Sequence, residues 1–284
     1  MSVKIIIDST ADMAPEIKER FTIVPLHICF GETEYIDGVT IDHKQFYEML
    51  IECDVIPTTS QASPDAFMSV FDEVVANGDE AVVITVASKL SGTYQSACIA
   101  ASECGGKIFV IDSKSVSIGT AVLAQLALKL ADEGKSAKEI AGILTAKVDD
   151  VLVVALLDTL EYLKKGGRIS KTAAFAGGLL SIKPVMAVTD GEVVALGKAR
   201  GSKQGNNLLV KEIEKAGGVD FSLPVILGYT GLSDHLLEKY VADSEFIWSG
   251  SEDALQRTVI GSVIGTHAGP GAIAVAFFKA GNNC

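Results

Sequence analysis

Most of the features that mark a common function are missing from this chain. It has no stripe of arginine or lysine. With 24 basic against 36 acidic residues the formal net charge is −12, which repels phosphate backbones and removes nucleic acid from the expected partners. Its five cysteines, Cys29, Cys53, Cys98, Cys104 and Cys284, form no CxxC pair and no zinc spacing. They are expected to be reduced and mostly buried thiols rather than a disulfide framework. No stretch reaches the ~20 apolar residues of a membrane span. The richest, Val259 to Phe278, is broken by His267, Pro270 and four glycines. The apolar run at the N-terminus is too short for a signal peptide and ends in Asp8. Cys284, as the last residue, is in the wrong place for a prenylation box. These absences predict a soluble, cytoplasmic protein with no integral membrane association.

Enzyme signatures are equally scarce. Gly191 to Lys198 looks like a phosphate-binding loop, but it has one residue too many between its glycines and Ala199 where a magnesium-binding Ser or Thr belongs. Ser117 lacks the preceding glycine of a nucleophile elbow. No His, Cys and carboxylate set has the spacing of metal ligands. The expectation is a protein with no metal, no cofactor and no catalytic residue of its own.

What remains is apolar material and a regular alternation of elements. The 284 residues are 48% hydrophobic, enough for two domains and for lining a cavity. Val3–Ile7, Ala81–Val86 and Ile108–Ile111 read as buried strands, and helices follow from about Thr93 to Cys104 and through Ala121–Leu130. Strand, loop, helix in repetition predicts a parallel sheet with helices on its faces, a Rossmann-like α/β/α domain over residues 1–149. Ile23–Phe30 and Thr33–Ile36 flank a plausible hairpin at Gly31-Glu32. Asp42, Ser63-Pro64 and Ser136 with Glu139 mark helix starts. Beyond about residue 150 the pattern changes. Val185–Thr189 and Val193–Leu196 surround Asp190-Gly191, the strongest hairpin signal in the chain. Residues 150–284 are therefore expected to form a second α/β domain with a mixed, partly antiparallel sheet.

Four polar segments stand out against this background. Pro57 to Gln61, with Thr59 and Ser60, precedes a helix start. Ser88 to Ser96, with Ser91, Gly92 and Thr93, opens a helix after a buried strand. N–H groups and hydroxyls there suit a carboxylate or phosphate oxygen, though Ser and Thr are also ordinary N-caps. Thr266-His267-Ala268-Gly269-Pro270-Gly271 places a histidine before a tight turn, next to an expected helix bearing Val259, Ile260, Val263 and Ile264. His267 reads either as a satisfied core residue or as a ligand contact. Leu160 to Ser170 clusters Lys164, Lys165 and Arg168 around two glycines; the charges suit either a helix C-terminus or a phosphate or partner. Arg200 is a weaker version of the same idea. Loops after parallel strands lie at one sheet edge, so Asp8-Ser9, Ser88–Thr93 and Asp112-Ser113 should converge.

In this order and spacing, from Asp8-Ser9-Thr10 to His267, the segments resemble the DegV family, fatty-acid-binding proteins that serve bacterial fatty acid kinases. The resemblance covers essentially the whole chain. It implies two domains enclosing one long-chain fatty acid. Thr59, Ser91 and His267 would meet the carboxylate, and Ser60, Gly92, Thr93 and Thr266 would support them. Arg168, with Arg200, would face a fatty acid kinase subunit, which phosphorylates the held acid to an acyl phosphate for phospholipid synthesis. Two other readings stay open. One is a substrate subunit like that of dihydroxyacetone kinase, which would need a small polar cavity. The other is a hydrolase with Ser91 as nucleophile and His267 as base.

Overall fold

A computed structural model describes residues 2–53, 55–169 and 182–281. Ser170, at the end of the basic segment, and Cys284 lie outside the described residues. The first half is built on four parallel strands, β1 (Val3–Asp8), β2 (Thr22–Val24), β6 (Glu80–Thr85) and β7 (Ile108–Asp112), in the order β2-β1-β6-β7. Beside it lies a small antiparallel sheet of β3 (His27–Phe30), β4 (Thr33–Ile36) and β5 (Thr58–Ser60), in the order β4-β3-β5. The single strand expected over Ile23–Phe30 is therefore divided between two sheets. Pro25, with no N–H to give a ladder, marks the crossing, and the N–H of Leu26 turns aside to Ser9 Oγ at 3.1 Å.

Helices α1 (Pro15–Lys18), α2 (His43–Glu52), α3 (Pro64–Ala76), α4 (Thr93–Ser102), α5 (Ile118–Asp132) and α6 (Ala137–Lys147) complete this half. Their starts follow local chemistry. Asp42 and Ser136 form capping boxes with Gln45 and Glu139, and Ser63 caps α3 ahead of Pro64.

The second half carries a six-stranded mixed sheet. Its strands are β8 (Val151–Leu156), β9 (Ile182–Thr189), β10 (Glu192–Arg200), β11 (Val225–Tyr229), β12 (Leu255–Val259) and β13 (Ile273–Phe278), in the order β10-β9-β8-β13-β11-β12. All neighbours are antiparallel except β11 and β12. Asp190 and Gly191 join β9 to β10 with φ of 48° and 76°, the left-handed pair that a tight hairpin demands. Helices α7 (Glu161–Lys165), α8 (Gly201–Lys215), α9 (His235–Asp243), α10 (Glu245–Trp248) and α11 (Ser262–Ala268) flank the sheet. The helix expected to carry Val259 and Ile260 starts later than the sequence suggested. Val259 ends β12, which is paired to Tyr229, and α11 begins at Ser262.

The two large sheets share α5. Eleven of the fifteen residues of this helix are buried, as befits a helix that is apolar over most of its surface. It sits in one continuous core with Ile5, Ile7 and Ile84 of the parallel sheet and Val153, Ile226 and Ala274 of the mixed sheet. Of the four described cysteines only Cys104 is buried. Cys29 and Cys98 are half-buried and Cys53 is exposed, which corrects the expectation of mostly buried thiols. Each is a free thiol.

Candidate functional site

Where α5, α11 and the mixed sheet meet the parallel-sheet loops, the packing leaves a cavity with about 1000 Å³ of empty space, its mouth included. Most of its wall is apolar: Val153, Ala155 and Leu157 from β8 and just beyond, Ala272 and Ala274 around β13, and Ile260, Val263 and Ile264 from α11 and the turn before it. Thr59, Ser60, Ser91, Arg168 and His267 gather at one end, so three of the four polar segments reach one place with the basic segment beside them; Thr10 and Ser117, from the loop after β1 and the start of α5, are further polar residues in its wall.

Short-range chemistry holds this end together. Thr59 Oγ1 lies 2.9 Å from His267 Nε2, across 208 residues of sequence. Ser91 Oγ lies 2.9 Å from Thr93 Oγ1 and accepts the Thr93 N–H at 3.3 Å. Gly92 lets the two hydroxyl segments touch: a Cβ there would stand 1.9 Å from Gln61 Oε1, and Gln61 Nε2 donates to Ser96 Oγ at 2.9 Å. Arg168 ties the basic segment to the second segment, its Nε donating to the Leu90 carbonyl at 3.3 Å and its Nη1 to the Gly166 carbonyl at 2.7 Å. On the outside, Lys89 pairs with Asp190 at 2.8 Å, joining the Ser91 loop to the β9–β10 hairpin.

The parallel-strand loops converge as expected. Asp8 Oδ2 accepts the Val86 N–H at 2.7 Å, and Asp112 Oδ1 accepts the Ser88 N–H at 3.1 Å. The backbone carrying Ser91 is thus shaped by carboxylates at the ends of β1 and β7. Burial raises the Asp8 carboxyl above its ordinary range, and its hydrogen bonds to Thr10 and Val86 oppose that.

His267 is held neutral. Burial lowers its ionisation from 6.5 to about 4, and the nearby Arg168 guanidinium adds to the effect. Its Nδ1 has no hydrogen-bond partner among the described residues. Gly166 is packed so closely that a Cβ would stand 2.1 Å from Nδ1. A second depression, lined by Val55, Ile56, Lys165 and Gly166, shares Thr59, Arg168 and His267 with the main cavity. These three side chains form part of the wall between the interior and an outer, more polar hollow.

Not every anticipated residue joins the group. Thr266 is buried and its hydroxyl donates back to the Ser262 carbonyl at 3.0 Å, within its own helix. Thr93 is buried behind Ser91. Arg200 is exposed at the start of α8, its backbone N–H donating to Gln204 Oε1 at 2.6 Å, and it lines neither cavity. Among the described residues no group of His, Cys, Asp and Glu could hold a metal ion, and no helix is long and apolar enough to cross a membrane.

One contact was hidden from the sequence. Asp12 Oδ2 accepts from Ser117 Oγ at 2.6 Å and Oδ1 accepts the Gly261 N–H at 2.9 Å. This buried carboxyl ties the loop after β1 to the starts of α5 and α11. Burial lifts its ionisation from 3.8 to about 7 against the pull of Lys18, Ser117 and Gly261. Its partners lie 105 and 249 residues away, and no local motif signals such a tie.

A family model described as "Uncharacterised protein, DegV family" matches residues 2–280. A DegV domain-containing protein of Caldanaerobacter subterraneus subsp. tengcongensis is 35% identical over 280 residues, which is 97% of this chain and 98% of that protein. A solved DegV family protein from Thermus thermophilus, described by its fatty acid binding, has a TM-score of 0.88 at 30% identity, covering 99% of this chain and 100% of that one. A stearic-acid-binding protein from Eubacterium ventriosum has a TM-score of 0.86 at 29% identity, covering 98% and 99%. The chain belongs to the DegV family.

Proposed function

We propose that this protein binds one long-chain fatty acid between its two halves, residues 1–149 and 150–284, and presents the carboxylate to a fatty acid kinase. The observation that carries the reading is the cavity itself, mostly apolar in its lining and with Thr59, Ser91 and His267 all in its wall, Thr59 and His267 in contact. Relatives of the same fold are described as binding fatty acids. A long-chain acid offers about 15 methylenes, worth on the order of 12 kcal/mol at roughly 0.8 kcal/mol each when buried. Association costs of at least ~4 kcal/mol offset part of this, leaving room for micromolar or tighter binding when the tail is fully enclosed.

The polar end supplies orientation. Thr59 and Ser91 hydroxyls donate to the carboxylate, and His267 holds Thr59 in place from behind. No lysine lines the cavity among the described residues, and a carboxylate with no ammonium fixed on its oxygens stays nucleophilic toward an incoming phosphoryl group. Arg168 and Lys165 line the outer hollow that shares the Thr59–His267 wall, a setting suited to the charge of a phosphoryl donor or to a partner subunit.

The hydrolase reading has no geometric support. His267 Nε2 is engaged with Thr59, and the Ser91 hydroxyl with Thr93, so Ser91 and His267 are not paired with each other. The long apolar cavity likewise favours a lipid over the small polar substrate of a dihydroxyacetone-kinase-like subunit. Mass spectrometry of molecules released by denaturing the purified protein tests the proposal. A long-chain fatty acid at near one per chain is expected; no lipid, together with no binding of added acid, would overturn it.

A further inference from the structure

The cavity has a direction. Ile260, Val263, Ile264, His267 and Ala268 face it in steps of three and four, the stripe of one helix side. It therefore runs along α11, with His267 at one end and Ile260, just ahead of the helix, roughly 10 Å away at the other. Beneath lies the mixed sheet, where strand register places Ala155 beside Ala274 and Ala274 beside Gly228. Three neighbouring strands thus offer a small residue at one level.

Over the last of these sit Ile260 and Ile118, both cavity-lining and both buried. A Cβ on Gly228 would lie 2.8 Å from Ile260 Cγ1, 3.0 Å from its Cδ1 and 3.2 Å from Ile118 Cγ2. These isoleucines rest on bare backbone with no spare room below. The backbone of Ile260 cannot retreat from a side chain placed there. Its N–H donates to the Tyr229 carbonyl at 2.7 Å, its carbonyl accepts from Tyr47 Oη at 2.7 Å, and the next N–H is held by Asp12. Only the side chain can move, and the open direction is the cavity.

We propose that Gly228 sets the depth of the cavity by letting Ile260 and Ile118 sink onto the sheet, so that this trio fixes the longest acyl chain accepted. The assignment rests on the fatty-acid reading above and adds the residues that measure the tail.

The test is titration of delipidated protein with saturated acids from dodecanoic to eicosanoic. Gly228→Ala should weaken the longest acids by about fourfold for each methylene excluded, while dodecanoic acid binds nearly as in wild type. Ile260→Ala and Ile118→Ala should act in the opposite sense, moving the preferred length upward by two or three carbons on the order of the side-chain volume removed. These variants delete atoms rather than insert them, so they carry the test even where Gly228→Ala folds poorly. A wild type that binds acids, with Ile260→Ala and Ile118→Ala showing its unchanged length preference, would overturn the depth assignment alone. A wild type that binds no acid of any length would overturn the fatty-acid reading and the depth assignment together.

Discussion

The two ends of the cavity are assembled from different kinds of structure. The polar end is made of loops, a three-residue strand and the end of a short helix, joined by hydrogen bonds such as Thr59 to His267 and Arg168 to Leu90. The apolar end is made of regular elements: one level of the mixed sheet, the first turn of α5 and the backbone-locked Ile260. A few hydrogen bonds can orient a ligand but contribute little enclosed area, whereas packed strands and helices contribute area without direction. The contrast teaches that affinity and orientation reside in separable parts of this fold, and each can be altered while the other stands.

The largest expected effect comes from removing the donors at the polar end. Thr59→Ala and Ser91→Ala should each weaken acid binding about ten- to hundredfold, the cost of a hydrogen bond to a charged group, roughly 1.5–3 kcal/mol. A fatty alcohol of equal length should lose far less in the same titration, because the apolar end is untouched. Equal losses for acid and alcohol would erase the distinction between the ends.

A second prediction concerns pH, where the two ends pull in opposite directions. His267 titrates near 4 when folded against 6.5 when unfolded. Its contribution is fully present above 6.5 and is lost as pH falls toward 4. Asp12, which anchors the apolar end, titrates near 7 when folded against 3.8 when unfolded. Its contribution is fully present below 3.8 and is lost as pH rises through 7. Urea midpoints from pH 4 to 8 should therefore show Asp12→Asn losing less stability than wild type toward the alkaline side. Parallel curves for the two proteins would assign the alkaline loss to another group.

Arg168→Ala sharpens the comparison by separating holding from delivery. Acid affinity should stay within about threefold of wild type, since the guanidinium is bonded to the Leu90 and Gly166 carbonyls and exposed or peripheral contacts contribute little. Acyl phosphate formation with an added fatty acid kinase and ATP should fall much further. Equal loss of binding and turnover would move Arg168 into the ligand-holding set. The smallest effect is expected from Lys89→Ala. Its pair with Asp190 is solvent-exposed and should matter little for stability. However, it fastens the Ser91 loop to the hairpin, so release of bound acid should be modestly faster, as read by stopped-flow transfer to an acceptor.

How much of this was legible in the sequence follows the same division. Elements governed by neighbours were readable: Asp190-Gly191 gave the hairpin, Ser136 with Glu139 the cap of α6, and the apolar run Ile108–Ile111 the strand β7. The polar segments were visible because hydroxyls and glycines cluster locally. Unreadable were the features that depend on distant partners. β12, with Gln256, Arg257 and Thr258 at its centre, lacks a strand's apolar run and forms by pairing with β11. Thr58–Ser60 becomes a strand only because β3 lies beside it. Asp12 carried no signal at all, since both its partners are assembled by the completed fold.

The closeness of Gly166 to His267 fixes which way a proton points. The ring is neutral, and a buried N–H without an acceptor is rarer and more costly than a bare ring nitrogen. With no partner for Nδ1 among the described residues, the single proton is assigned to Nε2, and Thr59 Oγ1 accepts it. The hydrogen of Thr59 must then swing away from the imidazole toward the interior. That tautomer thereby leaves the Thr59 hydrogen free for a ligand's lone pair, while the Thr59 oxygen keeps one lone pair beyond the one His267 uses. A fatty amine of the same length, protonated and cationic, has no lone pair to take that hydrogen and carries the same charge as Arg168 in the same wall.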